Sequence, residues 1–98
     1  MSAKLVSKEY QFAGVAPVSM ETVLGVREWI GTLSIRASDS NVGSVFLGDE
    51  NLTAIAERGV YLNPGDAWGF DLVHKFVYST NVWLQGSAGD TVHIVWIQ

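Results

Sequence analysis

Hydrophobic and polar positions alternate along much of this chain with the period of two that marks a half-buried β-strand. From Asp66 onward Trp68, Phe70 and Leu72 point one way, and Ala67, Gly69 and Asp71 the other. A turn stands in front of that strand. Pro64 presets φ at the first central position of Asn63-Pro64-Gly65-Asp66 and Gly65 tolerates positive φ at the second, so a type II or type I turn is predicted. Upstream, Trp29, Leu33, Ile35 and Ala37 share one face while Thr32, Ser34 and Arg36 share the other. Downstream, Phe76, Tyr78, Thr80, Val82 and Leu84 oppose Val77, Ser79, Asn81 and Trp83, which predicts one strand from Phe76 to Leu84. Gln85 to Asp90 then reads as a turn or short loop. The last run differs, because Val92/Ile94/Trp96 and His93/Val95/Ile97 are both largely apolar. Such a strand needs cover on both sides: the core on one, and a subunit contact or a neighbouring loop on the other.

Other segments carry weaker signals. Val6, Tyr10 and Phe12 share a parity with Lys8 between them, so residues 1–12 form either an extended N-terminal arm or a first strand. Ala13-Gly14-Val15-Ala16-Pro17-Val18 suits an irregular or edge segment. Ser19 to Val26 is open between a short helix capped by Ser19 and extended chain. Gly43 to Gly48 is a short strand bounded by glycines, and Leu52 to Arg58 fits a short strand and loop better than a helical turn closed by Gly59. Together these give about seven or eight short strands with Gly, Pro, Asn and Asp between them. The expected class is all-β, an antiparallel β-sandwich or jelly roll, formed by residues 1–98 as a single domain.

Composition sharpens this picture at two points. Hydrophobic residues make up 48% of the 98 and charged residues 16%, more apolar material than a small core consumes. Oligomerisation is the expected use of the surplus. Six Lys plus Arg against ten Asp plus Glu leave a net charge of −4 with no basic run, so no nucleic-acid partner is expected. No run approaches the ~20 apolar residues of a membrane span, the N-terminal segment lacks a signal-peptide core, and no membrane partner is expected. The absence of cysteine removes disulfides, thiolate metal sites and Cys nucleophiles, and suits assembly in a reducing compartment.

The search for chemistry returns little. A cupin-like metal site needs a His-x-His pair with further ligands, whereas this chain has only His74 and His93. Asp71 and His74, three apart, would face opposite ways on one strand. No Gly-x-Ser-x-Gly elbow occurs, and Asp39/Asn41 and Asp49/Glu50/Asn51 match turns better than a twelve-residue calcium loop. No enzyme activity, cofactor or metal is expected. Trp29, Trp68 and Trp83 could stack on sugar rings if they shared an exposed face, although Trp is also a favoured core and interface residue.

Gly43-Ser44-Val45-Phe46-Leu47-Gly48, Leu52-Thr53-Ala54, Gly59-Val60-Tyr61-Leu62-Asn63-Pro64-Gly65-Asp66, Val77-Tyr78-Ser79 and Ala88-Gly89-Asp90-Thr91-Val92-His93-Ile94 together resemble a pattern in small virion proteins of tailed bacteriophages. These are capsid decoration or cement proteins and related minor structural proteins. The resemblance runs from Gly43 to Ile94, leaves residues 1–40 unmatched, and consists of turn and strand grammar. It implies a jelly-roll-like homotrimer, assembled in the host cytoplasm, that clamps major capsid protein subunits on the outer surface of the head. Independently of any family motif, outward apolarity nominates Trp83, Val95 and Ile97 for the trimer interface, and Leu5 and Val6 in the N-terminal segment for the capsid contact. The competing expectation is a carbohydrate-binding tail or receptor-recognition module.

Overall fold

The computed structural model describes residues 5–25, 27, 29–49, 60–71 and 77–97. Its strands are β1 (Leu5–Gln11), β2 (Val18–Ser19), β3 (Trp29–Ile30), β4 (Thr32–Ala37), β5 (Val45–Gly48), β6 (Val60–Leu62), β7 (Ala67–Asp71), β8 (Val77–Tyr78), β9 (Trp83–Gln85) and β10 (Thr91–Ile97). A short helix, α1 (Met20–Leu24), follows β2, and a 3-10 turn, Ser79–Asn81, precedes β9.

The pairing is nested. The first strand pairs with the last, β2 with β9, β3 with β8, β4 with β7 and β5 with β6, all antiparallel. A ribbon of this kind closes when it rolls up, and two further pairings, β10 with β4 and β5 with β9, join its turns. The result is two four-stranded sheets, β1-β10-β4-β7 and β2-β9-β5-β6, with β3-β8 as a small accessory pair. This is a β-sandwich with jelly-roll connectivity.

The alternation explains which faces meet. Leu33, Ile35 and Ala37 of β4 and Val92, Ile94 and Trp96 of β10 are buried, and they pack with Val45, Leu47, Leu62 and Leu84 of the facing sheet. Truncating one of the central aliphatic side chains to Ala would cost about 2–5 kcal/mol, because the transfer energy is lost and a cavity remains. Leu5–Gln11 is an edge strand paired with β10, not a free arm. Its Val6 and Tyr10 lean on the core, while Lys8 donates to the Leu24 carbonyl at 3.2 Å and so caps the last turn of α1.

Several expectations are corrected. Within Ser19 to Val26, left open between helix and extended chain, Met20–Leu24 is helix: the Ser19 hydroxyl accepts from Thr22 N–H, Gly25 closes the helix at φ 74°, and Met20, Val23 and Leu24 are buried. Tertiary burial outweighs the mediocre propensity of Thr22 and Val23. Trp29 does not share the face of Leu33 and Ile35. Gly31 separates β3 from β4, and Trp29 lies exposed with its ring edge-on to Tyr78 at 5.0 Å. The strand expected from Phe76 to Leu84 is split by the 3-10 turn, since β8 pairs with β3 whereas β9 belongs to the second sheet and the chain must step between them. Gln85, expected in a loop, ends β9. At Asn63-Pro64-Gly65-Asp66, Asp66 N–H donates to the Asn63 carbonyl at 2.9 Å with Gly65 at φ 88°, which selects the type II form. The expectations for Leu52–Arg58, Leu72, His74 and Phe76 fall outside the described residues.

Candidate functional site

Two buried polar side chains organise the end of the sandwich where the β4–β5 and β9–β10 connections meet. Asp90 follows Ser87-Ala88-Gly89 in a second type II turn, with Gly89 at φ 88° and Asp90 N–H donating to the Ser87 carbonyl at 3.0 Å. The turn holds the Asp90 carboxylate against the β4–β5 loop. One oxygen accepts from Val42 N–H at 2.9 Å and the other from Gly43 N–H at 2.9 Å. Asn41 completes the clamp: its Nδ2 donates to the Thr91 carbonyl at 2.9 Å and its Oδ1 accepts from Thr91 N–H at 2.8 Å. Backbone groups that would otherwise be stranded between loops are thus paired by side chains, as buried polar groups must be.

Gln85 is as buried as Asp90, each about 3% exposed, yet it is only half satisfied. Its Nε2 donates to the Val15 carbonyl at 2.8 Å, while its Oε1 is buried with no hydrogen-bond partner among the described residues. An unmet acceptor of this kind costs about 1–3 kcal/mol. The neighbourhood accounts for the burial. By strand parity, Phe46, Tyr61 and Gln85 face away from the core, in one row across β6, β5 and β9: Tyr61 pairs with Phe46, and Phe46 with Gln85. The loop carrying Val15 then folds over the far side of Gln85. Gly86 follows directly, and a Cβ there would lie 2.6 Å from the ring of buried Phe12.

A cleft of about 100 Å³ opens here, lined by Val15, Ser44, Phe46, Gln85, Gly86 and Ser87. The Ser44 hydroxyl donates to Asn63 Oδ1 at 2.9 Å, which fixes the cleft edge to the type II turn at Pro64-Gly65. Tyr61 stands beside the cleft with its ring centroid 6.3 Å from that of Phe46, tilted by 44°. The arrangement offers two aromatic faces, a buried amide acceptor and small hydroxyls. Groups of this kind can bind a ligand.

The residues nominated from sequence fall into separate places. Val95 is half-buried on the outer surface of the β1-β10-β4-β7 sheet, between Ser7 and Ser34 in register. Ile97 ends that strand opposite Leu5. Leu5 is 70% exposed, whereas Val6, one residue on, packs against the core. Trp83 faces outward from the other sheet, half-buried, with its Nε1 donating to the Thr80 carbonyl at 3.1 Å. Trp83 and Val95 therefore belong to two patches on opposite outer surfaces. Trp29, Trp68 and Trp83 do not form one platform: Trp29 is exposed on β3, Trp68 leans on the core from β7, and Trp83 faces out from β9.

Sequence reasoning missed Phe46, Tyr61 and Gln85 as a set. The available signal was the outward parity of Phe46 and Tyr61 in otherwise inward-apolar strands. Among the described residues no group of three or more His, Asp or Glu side chains is placed to hold a metal ion, and no helix is long and apolar enough to cross a membrane. His93 is half-buried on the outer surface of β10, in register with Glu9 and Arg36. No protein-family model, curated protein or solved structure matches this chain.

Proposed function

We propose that this chain is a non-enzymatic structural protein of a virion, a capsid decoration or cement protein that oligomerises on the outer surface of the head and stabilises contacts between major capsid protein subunits. One observation carries the reading: large apolar side chains are exposed on several separate surfaces of a small sandwich. Val42 is 92% exposed in the β4–β5 loop, Leu5 70% on the edge strand β1, Trp29 65% on the accessory pair and Tyr61 60% on β6. A protein built around one partner would gather such residues in one patch. A clamp that touches its own copies and more than one shell subunit needs several modest patches, and symmetry turns many weak contacts into a strong one. A cyclic trimer in particular joins two different surfaces of neighbouring subunits, which suits the separation of Trp83 from Val95. The jelly-roll sandwich and the resemblance running from Gly43 to Ile94 support the same reading.

The test is solution mass by light scattering, followed by co-sedimentation with purified shells of the parent particle. The reading expects a mass near three times 10.7 kDa, co-sedimentation, and a raised melting temperature of the decorated shells. Leu5→Asp should lower shell binding while leaving the circular dichroism spectrum unchanged. A monomer that ignores shells would overturn the reading.

A further inference from the structure

Strand β1 is the longest edge strand among the described residues, paired with β10 on one side and with no strand on the other. The ladder tells which of its main-chain groups are free. Phe12 N–H donates to the Asp90 carbonyl, while the N–H and C=O of the next residue, Thr91, turn the other way, to Asn41. The alternation of an antiparallel ladder then commits Val6, Lys8 and Tyr10 to β10 and leaves the N–H and C=O of Ser7, Glu9 and Gln11 on the open edge. All three are exposed. Such an edge is a template for a further strand, and a second copy of the chain is the first occupant to weigh. The charges oppose it. In the symmetric register that pairs all seven residues, Lys8 falls opposite its own counterpart, and a shift of two residues brings Glu9 opposite its own. Like charges directly opposite destabilise a strand pair. The shift in the other direction pairs only residues 5–9 and sets Leu5 against Glu9 and Val6 against Lys8.

A hollow adjoins the same edge. By parity Ser7 and Glu9 of β1 and His93 and Val95 of β10 project outward, and with Lys8 and Ile94 between them they line a space of about 230 Å³. Glu9 has no cationic partner among the described residues. We infer that the β1 edge takes up an extended segment of a different chain, which adds a fifth strand to β1-β10-β4-β7 and sets a Lys or Arg side chain in this hollow against the Glu9 carboxylate. Main-chain bonds from Ser7, Glu9 and Gln11 supply the affinity, and the side chains that face each other supply the choice of partner. On the inward side Lys8 donates to the Leu24 carbonyl and keeps two N–H groups, so an acidic residue suits the position opposite it. An acidic side chain in the hollow would instead meet Glu9. This inference deepens the capsid reading, on which the identification of the partner as a shell subunit rests, while the edge itself is testable without shells.

The experiment is a ¹H–¹⁵N NMR titration of the full chain with two end-capped heptapeptides of alternating threonine and valine. One carries lysine opposite Glu9 and aspartate opposite Lys8, and the other has these two exchanged. The first should give saturable shifts and slowed hydrogen exchange at the Ser7, Glu9 and Gln11 amides, with smaller changes at Val6, Lys8 and Tyr10. The second should bind roughly tenfold more weakly, because two opposite-charge pairs become like-charge pairs. Ser7→Pro removes a donor from the open edge and none from the β10 ladder, the placement at which sheets tolerate proline. It should abolish binding, and Glu9→Lys should weaken the first peptide by a factor similar to the exchange, with circular dichroism checking the fold of both variants. No binding of either peptide, equal binding of both, or affinity that a folded Ser7→Pro or Glu9→Lys variant retains would overturn the inference. Sedimentation with shells separates it from the capsid reading. Peptide binding by a chain that ignores shells upholds the edge and overturns the capsid reading alone, whereas shells bound equally by Ser7→Pro and the unaltered chain would overturn the edge as the shell contact.

Discussion

Asp90 and Gln85 sit at the two ends of one short connection, equally buried, and the molecule treats them in opposite ways. Asp90 spends both carboxylate oxygens on backbone N–H groups of Val42 and Gly43, and Asn41 ties the same loop to Thr91. Gln85 commits one arm to Val15 and leaves the other unmet. The first pattern is architecture, in which a charged side chain substitutes for the sheet ladder where the chain turns. The second is a buried acceptor left unmet beneath a row of aromatic side chains. Equal burial therefore does not mean equal purpose, and satisfaction of hydrogen bonds separates the two.

The comparison breaks most visibly at Asp90. Replacing it by Ala removes the acceptor of two part-buried N–H groups, a hydrogen bond to a charged group being worth about 1.5–3 kcal/mol, so Asp90→Ala should lose about 2–4 kcal/mol. Native domains are stable by only about 5–15 kcal/mol. Urea unfolding followed by tryptophan fluorescence should show the midpoint falling steeply, with the β4–β5 loop amides losing hydrogen-exchange protection first. A midpoint shift under ~1 kcal/mol would show that Asp90 is replaceable and that the clamp is held by Asn41.

The next effect is steric. A Cβ at Gly86 would lie 2.6 Å from two ring carbons of Phe12, and that ring is buried with the edge of Tyr10 against it. With little freedom to move, Phe12 must shift the β1 backbone or expel the loop. Gly86→Ala should cost about 1–3 kcal/mol, the usual penalty of overpacking. It should also deform the cleft, whereas Phe12→Leu combined with Gly86→Ala should recover part of the loss. Independence of the two substitutions in a double-mutant cycle would mean that the contact is not the cause.

Much of this architecture is legible in the sequence because alternation is local. β4 and β7 each show their alternation within a window of six residues, and Pro64-Gly65 marks its turn unaided, whereas β10, apolar on both faces, leaves its inward face open. The nested pairing is not legible that way, since it links the first strand to the last. Nor is the role of Asp90 or Gln85. Both look like ordinary turn residues beside glycine and serine, and their burial comes from partners far along the chain: Asp90 acts on Gly43, and Gln85 on Val15, 47 and 70 residues away. Trp29 misleads for a related reason. Its parity with Leu33 is real, but Gly31 lets the chain change sheets between them, so parity carries no face assignment across the break. Trp83 and Val95 were both apolar and outward-facing, and nothing local tells that their outward faces belong to different sheets.

The smaller prediction concerns Gln85 itself and sharpens the contrast with Asp90. Gln85→Leu removes one satisfied hydrogen bond, but it also removes the unmet acceptor and replaces a polar side chain by an apolar one beside Phe46. The Val15 carbonyl left behind belongs to an exposed loop residue, so water can take over its bond. These terms oppose each other, and the net change should stay within about 1 kcal/mol. Urea midpoints for Asp90→Ala and Gln85→Leu measured side by side would test the distinction directly. Should Gln85→Leu prove as damaging as Asp90→Ala, Gln85 would be a structural clamp whose acceptor is filled by ordered water.

The smallest effect is expected at Tyr61. The residue is 60% exposed, its ring lies 6.3 Å from that of Phe46, and Leu62 beside it supplies a core contact of β6. Surface substitutions away from caps, cavities and buried networks generally stay within about 0.5 kcal/mol. Tyr61→Ala should therefore leave the urea midpoint nearly unchanged. An exposed aromatic that stability does not require is available for contact with something else. If Tyr61→Ala instead destabilised the chain by more than about 1 kcal/mol, the ring would be part of the packing that shields Phe46, and the row Tyr61–Phe46–Gln85 would be a lid over the sheet rather than a surface offered to a partner.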